Sequence, residues 1–120
     1  MKTRKLESKF QAALIRRLQA TFPGCIVIKN DPTYIQGIPD LLVLYNDTWA
    51  ALECKRSSRA SHRPNQDYYV KRMDNMSFAA FIFPENEDEV IEMLKKKWSV
   101  EVHNIGIQQA PRARRKARTA

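Results

Sequence analysis

Two apolar runs joined by a turn dipeptide constrain this chain more than any other feature: residues 40–55 read DLLVLYNDTWAALECK. Leu41 to Tyr45 is almost continuously apolar, and Thr48 to Lys55 reads as a second strand. Asn46-Asp47 between them is a turn signal. The segment is therefore expected to fold as a β-hairpin.

The rest of the chain supplies elements to cover that hairpin. Leu6, Phe10, Leu14 and Leu18 recur at every fourth position, so a helix is expected from about Leu6 to Thr21, ended by Pro23-Gly24. Cys25 to Lys29 reads as a short strand, and residues 30–39, with Pro32, Gly37 and Pro39, as a loop. Residues 56–64 are polar and basic and are expected to form a mobile loop. Asn65 is placed to cap a helix running to about Asp74. Residues 77–83, SFAAFIF, read as a buried strand broken by Pro84. Residues 85–98 read as a helix, with acids crowding its start and Lys95, Lys96 and Lys97 its end, the order favoured by the helix dipole. VEVHNI, residues 100–105, reads as a last edge strand. The alternation implies an α/β fold with a central mixed sheet flanked by helices.

Hairpin register brings chemistry into view. With Asn46-Asp47 as a two-residue turn, Leu44 faces Trp49, Leu42 faces Ala51 and Asp40 faces Glu53. Directly opposite residues hold their Cβ atoms about 4.5–5.5 Å apart. Lys55, two residues beyond Glu53, projects from the same face. A longer turn or a bulge would move Asp40 to a diagonal position, still within reach. Adjacent carboxylates repel unless a proton or a cation intervenes. Hard oxygen donors suit Mg²⁺ or Mn²⁺, which can polarise a phosphate, and a neighbouring ammonium can orient water or offset developing charge. The plainer reading is a solvated strand face carrying an Asp and a Glu-x-Lys. Two details favour chemistry. Gly37-Ile38-Pro39 makes a tight lead into the strand, and Glu53 lies inside an apolar run where an unpaired carboxylate is costly.

Charge narrows the partner. Among 120 residues, enough for one compact domain, the formal net charge is +8, which favours a polyanion such as nucleic acid. Arg112, Arg114, Arg115, Lys116 and Arg118 fall in residues 111–120 with no acid, which leaves +3 of the +8 for the other 110 residues. Residues 1–110 are read as a single domain and 111–120 as a flexible basic arm that binds DNA nonspecifically. Arg56, Arg59, His62 and Arg63, just past the proposed site, are candidate DNA contacts, as are Lys9 and others on the first helix. The arginines read equally as a merely soluble loop, and His62 reads more readily as an exposed loop residue than as a phosphate contact. The two cysteines, the start MKTRKLESKF and the lack of a long apolar stretch fit a reducing, cytoplasmic setting without a membrane span.

GIPDLLVLY followed by ALECK resembles the core of the PD-(D/E)XK nuclease superfamily. Pro39-Asp40 matches its first signature and Glu53-Cys54-Lys55 its second. The chain resembles more closely the stand-alone virus-type replication-repair nuclease (VRR-NUC) group, common in phages. That group has a Glu on an N-terminal helix, a G-x-P-D turn, an E-x-K strand and a Gln on the next helix. Glu7, Gly37 to Asp40, Glu53 to Lys55 and Gln66 stand in those places, over roughly residues 5–83. The resemblance implies a restriction-endonuclease-like core. It implies that Asp40, Glu53 and the Cys54 backbone carbonyl bind Mg²⁺ or Mn²⁺, with Glu7 completing the shell through water. It implies that Lys55 serves the attacking water and Gln66 orients Lys55 or the phosphate. Glu7 and Gln66 also read as ordinary solvated helix residues. The family often has a Gly in the loop after its Lys; here residues 56–64 read RSSRASHRP.

The expectation from sequence is a metal-dependent DNA endonuclease acting on branched, flap or junction DNA, as a homodimer, encoded by a phage and acting inside its host. The rival class is a noncatalytic DNA-binding protein with the same fold. An enzyme acting on RNA is a second rival.

Overall fold

A computed structural model describes the backbone of residues 2–107 and the side chains of residues 5–99. The fold is α/β: α1 (Lys2–Thr21), β1 (Ile26–Lys29), β2 (Leu41–Tyr45), β3 (Thr48–Cys54), α2 (Pro64–Met76), β4 (Ala79–Ile82) and α3 (Glu87–Ile107). One mixed four-stranded sheet has the order β1-β2-β3-β4. β1–β2 and β2–β3 are antiparallel, whereas β4 lies parallel to β3. A parallel neighbour needs a long crossover, and α2 provides it. The chain divides into two compact units between Val90 and Ile91.

The hairpin has the expected register: Tyr45 pairs with Thr48, Leu44 with Trp49 and Leu41 with Leu52. Asn46 takes φ 55° in the turn, a conformation that asparagine tolerates better than most residues. Side-chain alternation then sorts the two faces. Leu42, Trp49, Ala51 and Phe81 pack with Val70 and Met73 of α2. On the other face the Tyr45 ring meets Phe22, just past α1, at 5.6 Å between centroids.

Leu14 and Leu18 of α1 are fully buried, each contributing about 1.5–3 kcal/mol of hydrophobic stabilisation. Leu6 is 58% exposed. Every-fourth-residue spacing advances 400° around a helix, so the stripe drifts by about 40° per step. Over three steps Leu6 has left the face that Leu18 buries. Gly24, at φ +90°, follows the helix end, as the Pro-Gly signal implied.

Two readings differ in the second half of the chain. α2 begins at Pro64 with Arg63 as its N-cap, so Asn65 lies inside the helix. Proline is favoured at the first helical position because its missing N–H would have no partner there. Residues 100–105 continue α3 and form no strand. No Pro or Gly interrupts the sequence from Glu87 to Ile105, so a helix already under way propagates through a short alternating pattern. Lys95, Lys96 and Lys97 consequently lie in mid-helix instead of its last turn. In this second unit Ile91, Leu94 and Trp98 are buried on one side of α3. The arm at 111–120, with Arg112, Arg114 and Arg115, lies outside the described residues.

Gly37 ties the loop before β2 to α2. It sits at φ +88°, and a Cβ there would overlap the Asn65 Cβ and lie 2.7 Å from the Asn65 carbonyl carbon. Only glycine meets both demands. Gly37→Ala should therefore cost about 1–3 kcal/mol, read as a lower urea midpoint with unchanged m-value.

Candidate active site

The hairpin's open end carries the site. Beyond the last ladder pair, the Asp40 carboxylate Oδ2 accepts the Cys54 backbone N–H at 2.9 Å. The Asp40 backbone carbonyl accepts the Asn30 N–H at 2.8 Å, and the Lys55 N–H donates to the Ile82 carbonyl at 2.9 Å. Hydrogen bonds thus hold Asp40 from both sides and tie the Lys55 backbone to Ile82.

Glu53 and Lys55 are the two buried charged residues among those described, at 3% and 6% exposure. Lys55 Nζ donates to Gln66 Oε1 at 2.7 Å and to the Ser61 carbonyl at 3.0 Å. Gln66 Nε2 donates to Glu53 Oε2 at 3.0 Å. Gln66 Oε1 also accepts the Arg63 backbone N–H at 3.0 Å. An ammonium and a backbone N–H can only donate, so these partners fix which end of the amide is oxygen. Lys55 Nζ and Glu53 Oε2 stand 3.9 Å apart, an ion pair rather than a hydrogen bond. Two acceptors thus hold the ammonium, and the Glu53 carboxyl stands beside it. Glu53 Oε1 is buried and has no hydrogen-bond partner among the described residues.

Burial and the neighbouring Asp40 charge push the Glu53 carboxyl up to about 8, against the pull of Lys55. Burial also raises Asp40, opposed by the Cys54 N–H and by Lys55. The Cys54 thiol is buried and pushed well up by desolvation, so it is no nucleophile.

Glu7 belongs to the same neighbourhood. Burial raises its carboxyl most; the Lys55 charge lowers it, the Asp40 charge raises it, and Arg56 lowers it. Among the described residues, no three His, Cys, Asp or Glu side chains converge as a ready-made metal cage. The donors on hand are a carboxylate pair, which is what Mg²⁺ commonly takes from protein while water and phosphate complete its shell. An orphaned, buried carboxylate oxygen beside a second carboxylate fits a cation.

The loop expected to be mobile is hydrogen-bonded. Ser58 N–H and Oγ donate to Glu85 at 3.2 and 3.1 Å. The His62 ring stacks on Phe81 at 3.9 Å between centroids, and its Nδ1 lies 3.0 Å from Asp67 Oδ1. Arg56, Arg59, Arg63 and Lys9 are exposed. Arg17 is instead committed to Glu87 and Asp88 at 2.7 and 2.8 Å. Trp49 is half-buried and packs beside the α2 cluster.

A cleft of about 330 Å³ opens from Asp40 and Glu53 and is walled by Thr33, Gln36, Arg63 and Asn65. The sequence reading passed over Thr33 and Gln36, and took Asn65 for a cap. Their one sequence signal is their place in a Pro/Gly loop beside a buried carboxylate. No family model, curated protein or solved structure matches the chain.

Glu53 also sets a pH dependence. Below the unfolded-state value of 4.5 the carboxyl is neutral in both states. Between 4.5 and about 8 the unfolded chain releases a proton that the folded chain keeps, so stability falls as pH rises. In EDTA, thermal melts should show a Tm declining across that window. Glu53→Gln should flatten the decline and be the more stable protein above pH 8.

Proposed function

We propose that this protein is a metal-dependent DNA endonuclease. The observation that carries the reading is the buried Glu53 beside half-buried Asp40, with Lys55 tied to Glu53 through Gln66. A carboxyl and an ammonium buried together are expensive to keep in a merely structural hairpin. The resemblance of residues 5–83 to the VRR-NUC group of PD-(D/E)XK nucleases supports the same roles.

When bound, Mg²⁺ or Mn²⁺ supplies Lewis acidity toward the scissile phosphate and neutralises the carboxylate pair. Asp40, Glu53 and the Cys54 carbonyl would hold it, with Glu7 reaching it through water. Lys55 serves the attacking water and offsets the charge that develops on phosphorus oxygens. Water attacks phosphorus, the P–O bond to the leaving strand breaks, and the products are a phosphate end and a hydroxyl end. Gln66 is a positioning residue: it touches Lys55 and Glu53 and holds both in register. Exposed Arg56, Arg59, Arg63 and Lys9 supply phosphate contacts. His62 Nε2 is available as another.

The reading includes branched, flap or junction DNA as substrate, and a two-fold homodimer that cuts paired strands. A protomer of 120 residues has little surface for a whole junction. Exposed Ile26 and Ile28 on edge strand β1 offer apolar area for a second copy. Among the described residues no helix is long and apolar enough to cross a membrane.

Labelled duplex, flap and four-way-junction DNA should be cut with Mg²⁺ or Mn²⁺ and left intact with EDTA. Glu53→Ala and Asp40→Asn should abolish cutting while DNA binding persists. Binding without cutting under every metal condition would favour a noncatalytic DNA-binding protein, and matched RNA substrates test the third class. Gln66→Ala should lower kcat about 10–100-fold with DNA affinity nearly unchanged, the usual cost of losing a residue that orients the reacting groups.

A further inference from the structure

We propose that the cleft beside Asp40 and Glu53 binds one unpaired nucleobase of the strand being cut, with exposed Tyr34, the chain neighbour of its lining residue Thr33, as a stacking surface. The inference rests on the nuclease reading and names its substrate class. At about 330 Å³ the cleft is at the small end of ligand pockets, a size for one nucleotide unit and not for a duplex.

Its lining changes character away from the carboxylates. Thr33, Gln36 and Asn65 present a hydroxyl and two amides, and Arg63 a guanidinium. A groove that tracks a backbone carries a row of cations. Neutral amides pair a donor with an acceptor on one plane, the pattern that base edges match. Pro32 and Ile38 add apolar wall for a ring.

The wall is built before any ligand arrives. Asp31 Oδ1 accepts the Thr33 N–H at 2.8 Å and its hydroxyl at 2.6 Å. The Tyr34 N–H donates to the Asp31 carbonyl at 3.2 Å, and Asn30 Nδ2 to the Pro39 carbonyl at 2.8 Å. Gly37 seats the loop against Asn65. Groups so held cost little ordering entropy on binding. Tyr34, next to Thr33, is 84% exposed, the most exposed of the large hydrophobic side chains described. An aromatic face held in solvent can stack on any base. In a duplex both base faces and the Watson–Crick edge are already occupied. The cleft therefore selects a nucleotide that is out of the stack, as at the root of a flap or in an overhang.

The test measures cleavage of a flap carrying either the normal nucleotide or an abasic residue at each position flanking the cut. Wild type is compared with Tyr34→Ala, Gln36→Ala and Tyr68→Ala. Tyr34 and Gln36 are exposed, so truncating them leaves the core intact. Tyr68 is an exposed tyrosine on α2, outside the loop that carries Thr33 and Gln36. An abasic residue at one flanking position should lower wild-type kcat/KM about tenfold. Tyr34→Ala and Gln36→Ala should show a comparable loss on the intact flap and little further loss on the abasic one. Tyr68→Ala should keep the full abasic effect. A flat abasic series, or losses that multiply in the variants, would overturn the base subsite and leave the nuclease standing. Failure of wild type to cut any DNA with Mg²⁺ or Mn²⁺ would overturn both.

Discussion

The carboxylate of Asp40 bonded to the Cys54 backbone N–H is the interaction on which the site depends. It takes the place of the next ladder bond where the hairpin frays, so the register of β2 against β3 extends one step into side-chain chemistry. That step sets Asp40 against Glu53. A one-residue slip would send Glu53 and Lys55 to the opposite face and Cys54 into the site. The apolar runs on both strands oppose such a slip, because it would expose what they bury.

Gln66 joins this hairpin to the rest of the fold. Its Oε1 accepts both the Lys55 ammonium and the Arg63 N–H that opens α2, while its Nε2 donates to Glu53. The start of a helix and the charge pair of a site therefore share one amide. Gly37 holds the other side of the cleft by letting the β1–β2 loop approach the Asn65 backbone. Stability and preorganisation draw on the same few contacts, as expected where a site is placed on strands and a helix terminus.

Much of this was legible in the sequence because it depends on local periodicity. The hairpin, its turn and its register follow from two apolar runs around Asn46-Asp47 and place Asp40, Glu53 and Lys55 on one face. Glu7 and Gln66 carried no such signal of their own; resemblance to a nuclease group singled them out, and the structure bonds Gln66 to Glu53 and puts Glu7 within electrostatic reach of Asp40. Readings that needed more than local pattern went astray. Residues 100–105 alternate like a strand, yet they continue a helix begun more than a turn earlier. Residues 56–63 do form the loop expected of them, but its contacts to Glu85, Phe81 and Asp67 come from outside the segment and lay beyond local pattern.

By itself the sequence determined the strand pairing at the heart of the sheet, because side-chain alternation with period two leaves one register that buries the apolar residues. It also determined the excess of positive charge and the two carboxylates and lysine on a common face. Only the tertiary structure decided that Glu53 and Lys55 are desolvated, that one Glu53 oxygen lacks a partner, and that a polar cleft opens beside them. Burial and long-range hydrogen bonds come from α2 and the β1–β2 loop closing over the hairpin. Those contacts join residues far apart in the chain, where no local pattern reaches.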